Sequence, residues 1–407
     1  MRVCVVGSGG REHALAHVLG RDADVVVTPG NPGIPGSVAT PPEEVDADLF
    51  VVGPEAPLVD GLADRLRVAG RAVFGPGADG ARLEGSKAWM KEVLVDAGVP
   101  TAAHGAFTDE ATALAFLDTM GDLFVIKTDG LAAGKGVLVT QDRAEAEDAV
   151  RAYLAGDAFG DAGRTVVIEE GLTGPELSLL AVCDGTTALP LAPAQDFKRI
   201  GDGDAGPNTG GMGAYSPVPA ATDGVVGDLM EGAVLPTLDA LRRRGIDYRG
   251  VLYCGLMFTP VGPKVLEYNV RFGDPEAQVV LPRLADSLAD LLAAAAAGAL
   301  GDAPAFDAGA AVTVVCAAEG YPASPRTGDP IDGLHDAATL DGVTVFCAGV
   351  GEADGRLTTA GGRVLAVTGR GADIAAARQR AYAGAGAISW PGIQRRTDIA
   401  AAPTAAD

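Results

Sequence analysis

The first hundred residues alternate between short apolar runs and stretches with helical periodicity. Four apolar runs have the length and composition of buried strands: Val3 to Val6, Val25 to Thr28, Leu49 to Val52 and Ala72 to Phe74. Helical spacing begins at Arg11, and again near Leu58, from where it predicts a helix reaching Ala69. Strands that alternate with helices in this way predict a parallel, doubly wound sheet.

The pattern changes after residue 85. Helices are predicted for Ser86 to Ala97, ending at Gly98, and for Asp109 to Met120. The apolar runs Leu123 to Lys127 and Val137 to Thr140 are joined by a glycine-rich stretch. Two strands with a glycine-rich connection predict a small antiparallel unit.

A third pattern begins near residue 305. It contains three apolar runs and one helical stretch: Ala311 to Val315, Val343 to Phe346, Val364 to Val367 and Asp373 to Ala383. We therefore expect a multidomain α/β protein with four units: an N-terminal α/β domain over 1–104, a small mobile α+β lid over 105–172, a core over 173–304 and a C-terminal α+β domain over 305–407.

Composition narrows the class of partner and the location. A formal net charge of −23 argues against binding to nucleic acid or to anionic membranes, because both are repelled at long range. The longest apolar run, Leu288 to Leu300, is too short to span a bilayer. The five cysteines lie far apart in apolar runs and are interpreted as reduced core residues, and no leader precedes the first strand, so we expect a cytoplasmic protein.

The first strand ends in a glycine-rich turn, Gly7 to Glu12, whose backbone amides favour a phosphate. A dinucleotide site is disfavoured, because Glu12 replaces the third glycine of that fingerprint and the second strand ends without an acidic residue. A smaller phosphate ligand fits better, and Gly53 to Leu58 closes the same sheet edge. A tight turn without a ligand remains the alternative.

The stretch from Gly130 to Gly136 is similar to a Walker A loop but is one residue short and lacks the Ser or Thr that would hold magnesium. It lies between strands, where a glycine-rich hairpin could fold over a triphosphate while Lys135 and Lys127 reach the phosphates. An ordinary glycine-rich turn is the alternative. Lysine occurs at only six positions, 87, 91, 127, 135, 198 and 264, so each one is a candidate.

Ile168 to Leu172 is expected to connect this unit to the next sheet, where backbone groups could hold a purine base and Glu176 a ribose hydroxyl. Alternatively, Glu169 and Glu170 are ordinary surface glutamates exposed to solvent, and the pattern favours neither interpretation.

The most specific stretch runs from Val265 to Glu276. On a strand, Glu267, Asn269 and Arg271 share one face, because side chains alternate with a period of two. Two oxygen ligands beside a guanidinium suit Mg²⁺ on ATP phosphates with an arginine at the transferred group. A solvated polar face is the alternative.

Other chemistry has weaker support. His13 and His17 have the i, i+4 spacing of metal ligands but no evident third ligand, so they are interpreted as structural or close to the substrate. The sequence offers no nucleophile elbow and no cysteine with electropositive neighbours, so covalent catalysis has no candidate residue.

Taken in order, these motifs resemble those of the phosphoribosylamine-glycine ligases, a family of the ATP-grasp superfamily. The matching segments are Gly7 to His13, Pro29 to Asn31, Gly53 to Leu58, Leu83 to Lys87, Asp129 to Gly136, Gly206 to Ser216 and Arg271 to Gln278. They span nearly the whole chain, and Pro207 to Gly213 and Arg271 to Glu276 are narrow signatures.

The resemblance implies an ATP-grasp fold, in which the lid and core units are the two ATP-grasp subdomains. It also implies that ATP phosphorylates the carboxylate of glycine and that 5-phosphoribosylamine then attacks the glycyl phosphate, in de novo purine synthesis. The enzyme is expected to act as a monomer that makes, at most, transient contact with the upstream pathway enzyme.

Residue roles are implied at the matching positions. ATP phosphates would be contacted by Lys87, Lys127, Gly134, Lys135 and Gly136. Adenosine would be held by Glu169, Glu170, Leu172 and Glu176, and Mg²⁺ or Mn²⁺ by Glu267 and Asn269. Glycine and its acyl phosphate would be surrounded by Asp196, Lys198, Asn208, Thr209, Gly210, Gly211, Met212, Gly213, Arg271 and Asp274. The phosphoribosylamine would face Gly9, Gly10, Asn31, Glu55 and Pro57. Arg271, Lys127 and Asp274 are the expected catalytic residues.

Two positions and one segment depart from the family pattern. Ser8 stands where asparagine is common, and Thr128 stands where alanine is usual. The segment from Pro32 to Asp46 is about one strand-helix unit shorter than usual. Alternatives within the class are a carboxylase subunit or a formate-using transferase, against which the Asn208 to Gly213 loop counts. An NAD-dependent dehydrogenase and a non-catalytic nucleotide sensor are the alternatives from other classes.

Overall fold

The computed structural model describes residues 1–131, 136–156 and 164–401. Its first unit is a parallel sheet in the order β2-β1-β3-β4, as the alternating pattern predicts. The strands are β1 (Arg2–Gly7), β2 (Asp24–Pro29), β3 (Leu49–Val52) and β4 (Ala72–Phe74). The helices are α1 (Gly10–Leu19), α2 (Glu55–Val59), α3 (Leu62–Val68), α4 (Ala78–Gly85) and α5 (Lys87–Ala97).

The single helix predicted from Leu58 to Ala69 is wrong. The chain forms two helices there, because Gly61 adopts a φ of +77° between them and ends the first. In the short segment between β2 and β3, the structure has only one 3₁₀ turn, Pro42–Glu44.

The ends of α5 follow from the sequence. The Ser86 hydroxyl accepts the amide of Trp89 at the N-terminus, and Gly98 ends the helix with a φ of +68°. We expect Gly98→Ala to lower the free energy of unfolding by about 1 kcal/mol, because a side chain disfavours that backbone conformation.

Gly227 is the matched control, since it lies inside a helix and, like Gly98, has no atom within 4 Å of an added Cβ. Gly227→Ala is expected to raise the same free energy by about 0.5–1 kcal/mol. Urea unfolding of both variants measures the difference; two changes of the same sign would contradict this account.

The second unit is an antiparallel sheet in the order β5-β8-β6-β7, covered by two helices. Its elements are β5 (His104–Phe107), α6 (Glu110–Leu117), β6 (Phe124–Thr128), β7 (Val137–Thr140), α7 (Arg143–Leu154) and β8 (Val166–Glu170). A separate small core fills it, including Leu117, Ile126 and Ile168. The expectation that Ile168 begins a connection is wrong: residues 168–170 belong to a strand between two neighbours.

The third unit is an antiparallel sheet in the order β10-β9-β15-β16. Its strands are β9 (Glu176–Asp184), β10 (Ala188–Pro190), β15 (Arg249–Thr259) and β16 (Gly262–Asn269). Between them lie β11 (Gln195–Asp196), β12 (Arg199–Gly201), β13 (Ala205–Asn208), β14 (Gly213–Ser216), α8 (Asp223–Leu229) and α9 (Leu235–Arg243). The helices α10 (Ala277–Val280) and α11 (Leu288–Ala297) follow.

The C-terminal sheet has the order β11-β14-β17-β21-β18. The elements of the C-terminal unit are β17 (Ala310–Ala317), α12 (Leu334–Ala338), β18 (Val343–Cys347), β19 (Val350–Ala353), β20 (Arg356–Thr359), β21 (Arg363–Gly371) and α13 (Ile374–Ala387), of which β19 and β20 pair as a separate two-stranded sheet. Two of the five strands therefore come from before residue 304, so this sheet crosses the expected domain boundary. The division at 104, 172 and 304 stays a prediction.

The mixed α/β, multidomain fold class is confirmed. One continuous core joins the first, third and C-terminal units, and all five cysteines are buried and free. Within the described ranges, no helix combines the length and apolarity that a membrane span requires.

Candidate active site

Three lysines, Lys87, Lys127 and Lys198, lie around Glu267, where the second sheet meets α5 and the β15–β16 hairpin. The Nζ atom of Lys87 donates to the carbonyl of Gly130 at 2.9 Å. The Nζ atom of Lys127 lies 2.8 Å from a Glu169 carboxylate oxygen, and that of Lys198 lies 2.8 Å from Asp196. In a chain with so few lysines, this convergence indicates a site for an anion.

Glu267 lies among these cations. Burial alone would raise its pKa, but Lys198, Lys127 and Arg271 outweigh burial and lower the pKa below its usual value. The carboxylate therefore stays ionised. The oxygens of this carboxylate suit a hard cation.

Arg271 lies beyond the end of β16, so the expectation that it shares a strand face is wrong in detail. It nevertheless adjoins that face: its guanidinium donates to the Asn269 side-chain oxygen at 3.2 Å, and Asn269 approaches Glu267 at 3.5 Å. It also pairs with Glu84 at 2.7 Å and Glu55 at 3.4 Å. Three side chains thus fix the guanidinium, which excludes a freely solvated polar face.

Glu169 is buried and pairs with two lysines, Lys127 and, at 3.0 Å, Lys91. Glu170 pairs with Lys264 at 2.6 Å. The alternative of two solvated glutamates is therefore wrong. Both carboxylates pair with lysines, and the contacts expected for Glu169, Glu170, Leu172 and Glu176 with adenosine stay predictions.

Sequence reasoning marked Lys91 and Lys264 as candidates but gave them no role. Lys91 also donates to the Thr101 hydroxyl at 2.7 Å, and that hydroxyl donates to the Val265 carbonyl. The one available signal was the scarcity of lysine, because neither residue lies in a motif. Gly134 and Lys135 lie outside the described residues, while the carbonyl of Gly136 accepts the amide of Thr128 at 2.9 Å.

At the glycine-rich turn, the Glu12 carboxylate accepts the amide of Gly9 at 2.6 Å and pairs with Arg11 at 2.6 Å. An added Cβ at Gly7 or Gly53 would lie within 2.5 Å of Glu12 side-chain atoms. The two glycines therefore make room for this carboxylate. The Glu12 side chain thus fills space that the third glycine of a dinucleotide fingerprint would leave free for close packing of helix on strand, which argues against a dinucleotide.

The side chain of Asn31 bridges two parts of the chain. Its amide donates to the carbonyls of Ser8 at 2.8 Å and Ala348 at 3.0 Å, and its oxygen accepts from Gly33 at 2.8 Å. Its hydrogen-bonding capacity is thus largely used within the protein. Glu55 lies 4.0 Å from Arg11, beside the turn that holds Gly9. Pro57 lies within α2, next to this edge.

The loop from Asn208 to Gly213 packs between Asp274 and the C-terminal sheet. Thr209 donates its hydroxyl to the Lys198 carbonyl at 2.8 Å, and Met212 is fully buried. An added Cβ at Gly211 would lie 2.5 Å from Pro275, and one at Gly213 would lie 2.6 Å from the Thr313 carbonyl. These glycines are required by close packing, in addition to any contact with substrate.

Comparison with known proteins agrees with this geometry. Three family models of phosphoribosylglycinamide synthetase match: the N domain over 1–84, the ATP-grasp (A) domain over 85–277 and the C domain over 311–402. The phosphoribosylamine–glycine ligase of Streptomyces coelicolor is 49% identical, covering 98% of this chain and 99% of the relative. The ligase of Caulobacter vibrioides is also 49% identical, with 98% and 97% covered.

The chain belongs to the phosphoribosylglycinamide synthetase family. The crystal structure of phosphoribosylamine–glycine ligase from Thermotoga maritima is 34% identical, covers 98% of this chain and 100% of that one, and has a TM-score of 0.86. The biotin carboxylase domain of 2-oxoglutarate carboxylase from Hydrogenobacter thermophilus is 17% identical with a TM-score of 0.73, which shows a shared fold.

Within this synthetase fold, His13 is structural. Its Nδ1 atom accepts the amide of Cys347 at 2.8 Å, and its ring contacts Phe346 edge-on. No cluster of three or more His, Cys, Asp or Glu side chains in the described ranges could hold a metal ion, so the metal alternative for His13 and His17 has no support.

Burial lowers the pKa of His13 from 6.5 to about 4, with His17 adding to the effect. The unfolded chain therefore takes up a proton below pH 6.5 while the folded chain does not. We expect stability to be complete above pH 6.5 and to fall by about 3 kcal/mol by pH 4 through this group. Urea unfolding at pH 7, 5.5 and 4.5 measures the loss, and His13→Gln should reduce its slope; an unchanged slope would contradict the assignment.

Proposed function

We propose that this chain joins glycine to 5-phosphoribosylamine through a glycyl phosphate, with ATP as the energy source. The observation that carries the proposal is the arrangement of Glu267, Asn269 and Arg271 beside Lys87, Lys127 and Lys198. Phosphoryl transfer needs positioning and charge neutralisation more than covalent help, and this cluster supplies both. The family membership of the whole chain supports the same reaction.

In the first step, a glycine carboxylate oxygen bonds to the γ-phosphorus of ATP and ADP leaves. Lys87, Lys127 and Lys135 would neutralise the phosphates, and Arg271 would lie beside the transferred group. Glu267 and Asn269 fit Mg²⁺ or Mn²⁺, because both offer hard oxygen ligands and such ions complete their shell with phosphate and water. When bound, the ion would supply charge to the phosphate oxygens.

In the second step, the amine nitrogen of 5-phosphoribosylamine attacks the glycyl carbonyl. The carbon–oxygen bond to phosphate breaks, phosphate leaves and the amine releases a proton. Asp196, Lys198, Asp274 and the Asn208 to Gly213 loop would surround the glycyl phosphate. The α1 turn at Gly9 and Gly10, with Glu55 and Pro57 on the same edge, would face the phosphoribosyl group.

The chain's net charge of −23 argues against nucleic acid as a partner. We propose that it acts as a monomer, with no more than transient contact with the enzyme that forms the unstable amine. Light scattering during size-exclusion chromatography tests the oligomeric state, and a stable dimer would contradict it.

The decisive experiment measures ADP release with Mg-ATP and glycine, with and without phosphoribosylamine formed in situ. Turnover that requires both substrates, together with mass-spectrometric detection of glycinamide ribonucleotide, is the expected result. ADP release that responds to bicarbonate and not to glycine would favour a carboxylase. ATP binding without turnover on any substrate would favour a sensor.

A further inference from the structure

Arg363 begins β21 in the C-terminal sheet, far in sequence from every motif of the site. One of its terminal nitrogens, Nη1, donates to the carbonyl of Gly210 at 2.6 Å and to that of Asp274 at 2.7 Å. The same nitrogen lies 3.4 Å from the Gly211 carbonyl and 3.3 Å from the Asp274 carboxylate. A single guanidinium thus ties together two segments that are expected to surround glycine.

The shape of the loop is fitted to this guanidinium. An added Cβ at Gly210 would lie 3.0 Å from Cζ and Nη2 of Arg363, so the guanidinium packs directly against the Gly210 backbone. Gly211 has a φ of +106°, which favours glycine, and packs against Pro275. The two glycines therefore admit the arginine on one side and the 274–275 turn on the other.

The partners of Arg363 are themselves fixed. The Asp274 carboxylate accepts from the side-chain amide of Gln278 at 2.8 Å, and the Gly210 amide donates to the Tyr321 hydroxyl at 3.1 Å. Tyr321 and Arg363 both belong to the C-terminal unit. The loop therefore presents a backbone donor and two backbone acceptors to this unit.

We propose that Arg363 is a positioning residue for the glycine site, which holds the Gly210–Gly211 turn and Asp274 in one geometry for acyl transfer. The inference rests on the proposed function. Its physical reason is that one guanidinium nitrogen meets the carbonyls of Gly210 and Asp274 while the rest of the planar group packs against the Gly210 backbone, a packing contact that the compact ammonium of a lysine cannot make. The loss of this geometry affects the use of glycine, because the ATP phosphates are held by lysines from other elements.

The test compares Arg363→Ala and Arg363→Lys with the wild-type enzyme. Arg356→Ala is the matched control, since Arg356 lies on the same unit but is exposed and pairs only with Asp332 among the described residues. For Arg363→Ala, we expect kcat/KM for glycine to fall about 100-fold, while the KM for ATP changes less than twofold. Arg363→Lys should lie between Arg363→Ala and wild type, and Arg356→Ala should match wild type.

Chemical rescue separates positioning from folding. We expect guanidinium chloride to restore part of the glycine turnover of Arg363→Ala and methylammonium to restore less. The guanidinium concentration is about 10–50 mM, far below the concentrations that unfold proteins. A loss shared equally by ATP and glycine, no loss at all, or the absence of any rescue by guanidinium would overturn the inference. A wild-type enzyme that forms no glycinamide ribonucleotide would overturn the proposed function itself, and this outcome is visible before any variant is measured.

Discussion

Arg271→Met is expected to lower kcat for ligation by about 10³-fold, because an arginine beside the transferred phosphoryl group is worth that much in related chemistry. The structure fixes this guanidinium through Glu84, Glu55 and Asn269. Steady-state ADP release at saturating ATP and glycine measures the change.

The same substitution leaves the Glu84 carboxylate, whose side chain is 9% exposed, with the Val270 amide but without its cation, which can cost up to about 3 kcal/mol of stability. Arg271→Lys separates the two effects, since it keeps a positive charge near Glu84 but loses the planar fork. We expect Arg271→Lys to recover most of the melting temperature and little of the rate. Arg65→Met, at an exposed arginine outside the site, is the control variant and should keep the wild-type rate and melting temperature. A near-normal kcat in Arg271→Lys would refute the role assigned to the guanidinium.

Glu267→Gln is expected to raise the Mg²⁺ concentration for half-maximal activity at least about 10-fold and to lower kcat by about 100-fold. The amide keeps the shape of the side chain but removes the negative charge that lies among Lys198, Lys127 and Arg271. Activity measured as a function of free Mg²⁺ at fixed ATP gives both quantities.

Binding of metal-free ATP provides a sharper signature. Removal of a carboxylate beside the phosphates reduces repulsion, so Glu267→Gln should bind metal-free ATP as tightly as wild type or more tightly. A general structural defect would weaken that binding instead. Glu231→Gln, at an exposed position between α8 and α9, should leave both measurements unchanged. An unaltered Mg²⁺ requirement in Glu267→Gln would remove Glu267 from the metal site.

The predicted fold was accurate where the signal is local. The four N-terminal strands, the capped helix from Lys87 to Ala97 and the hairpin of β6 and β7 all follow from patterns of neighbouring residues. Two predictions were wrong. Gly61 interrupts the periodic stretch from Leu58 to Ala69. The apolar run ending at Glu170 pairs with a strand on each side, which neighbouring residues do not reveal. Neither error affected the assignment of family or reaction.

The sequence by itself predicted the alternating strands and helices of the N-terminal unit and the motifs for phosphate and metal, because periodicity, caps and motif spacing act between residues near each other in the chain. The reaction class came from the resemblance of these motifs to a family. Tertiary structure alone decided the partners of the charged groups. Lys91 meets Glu169 across 78 residues, and Arg363 meets Gly210 across 153. Such contacts depend on how separate sheets pack. A buried carboxylate is stable only beside a cation or hydrogen-bond donors, and tertiary packing decides which residue supplies them.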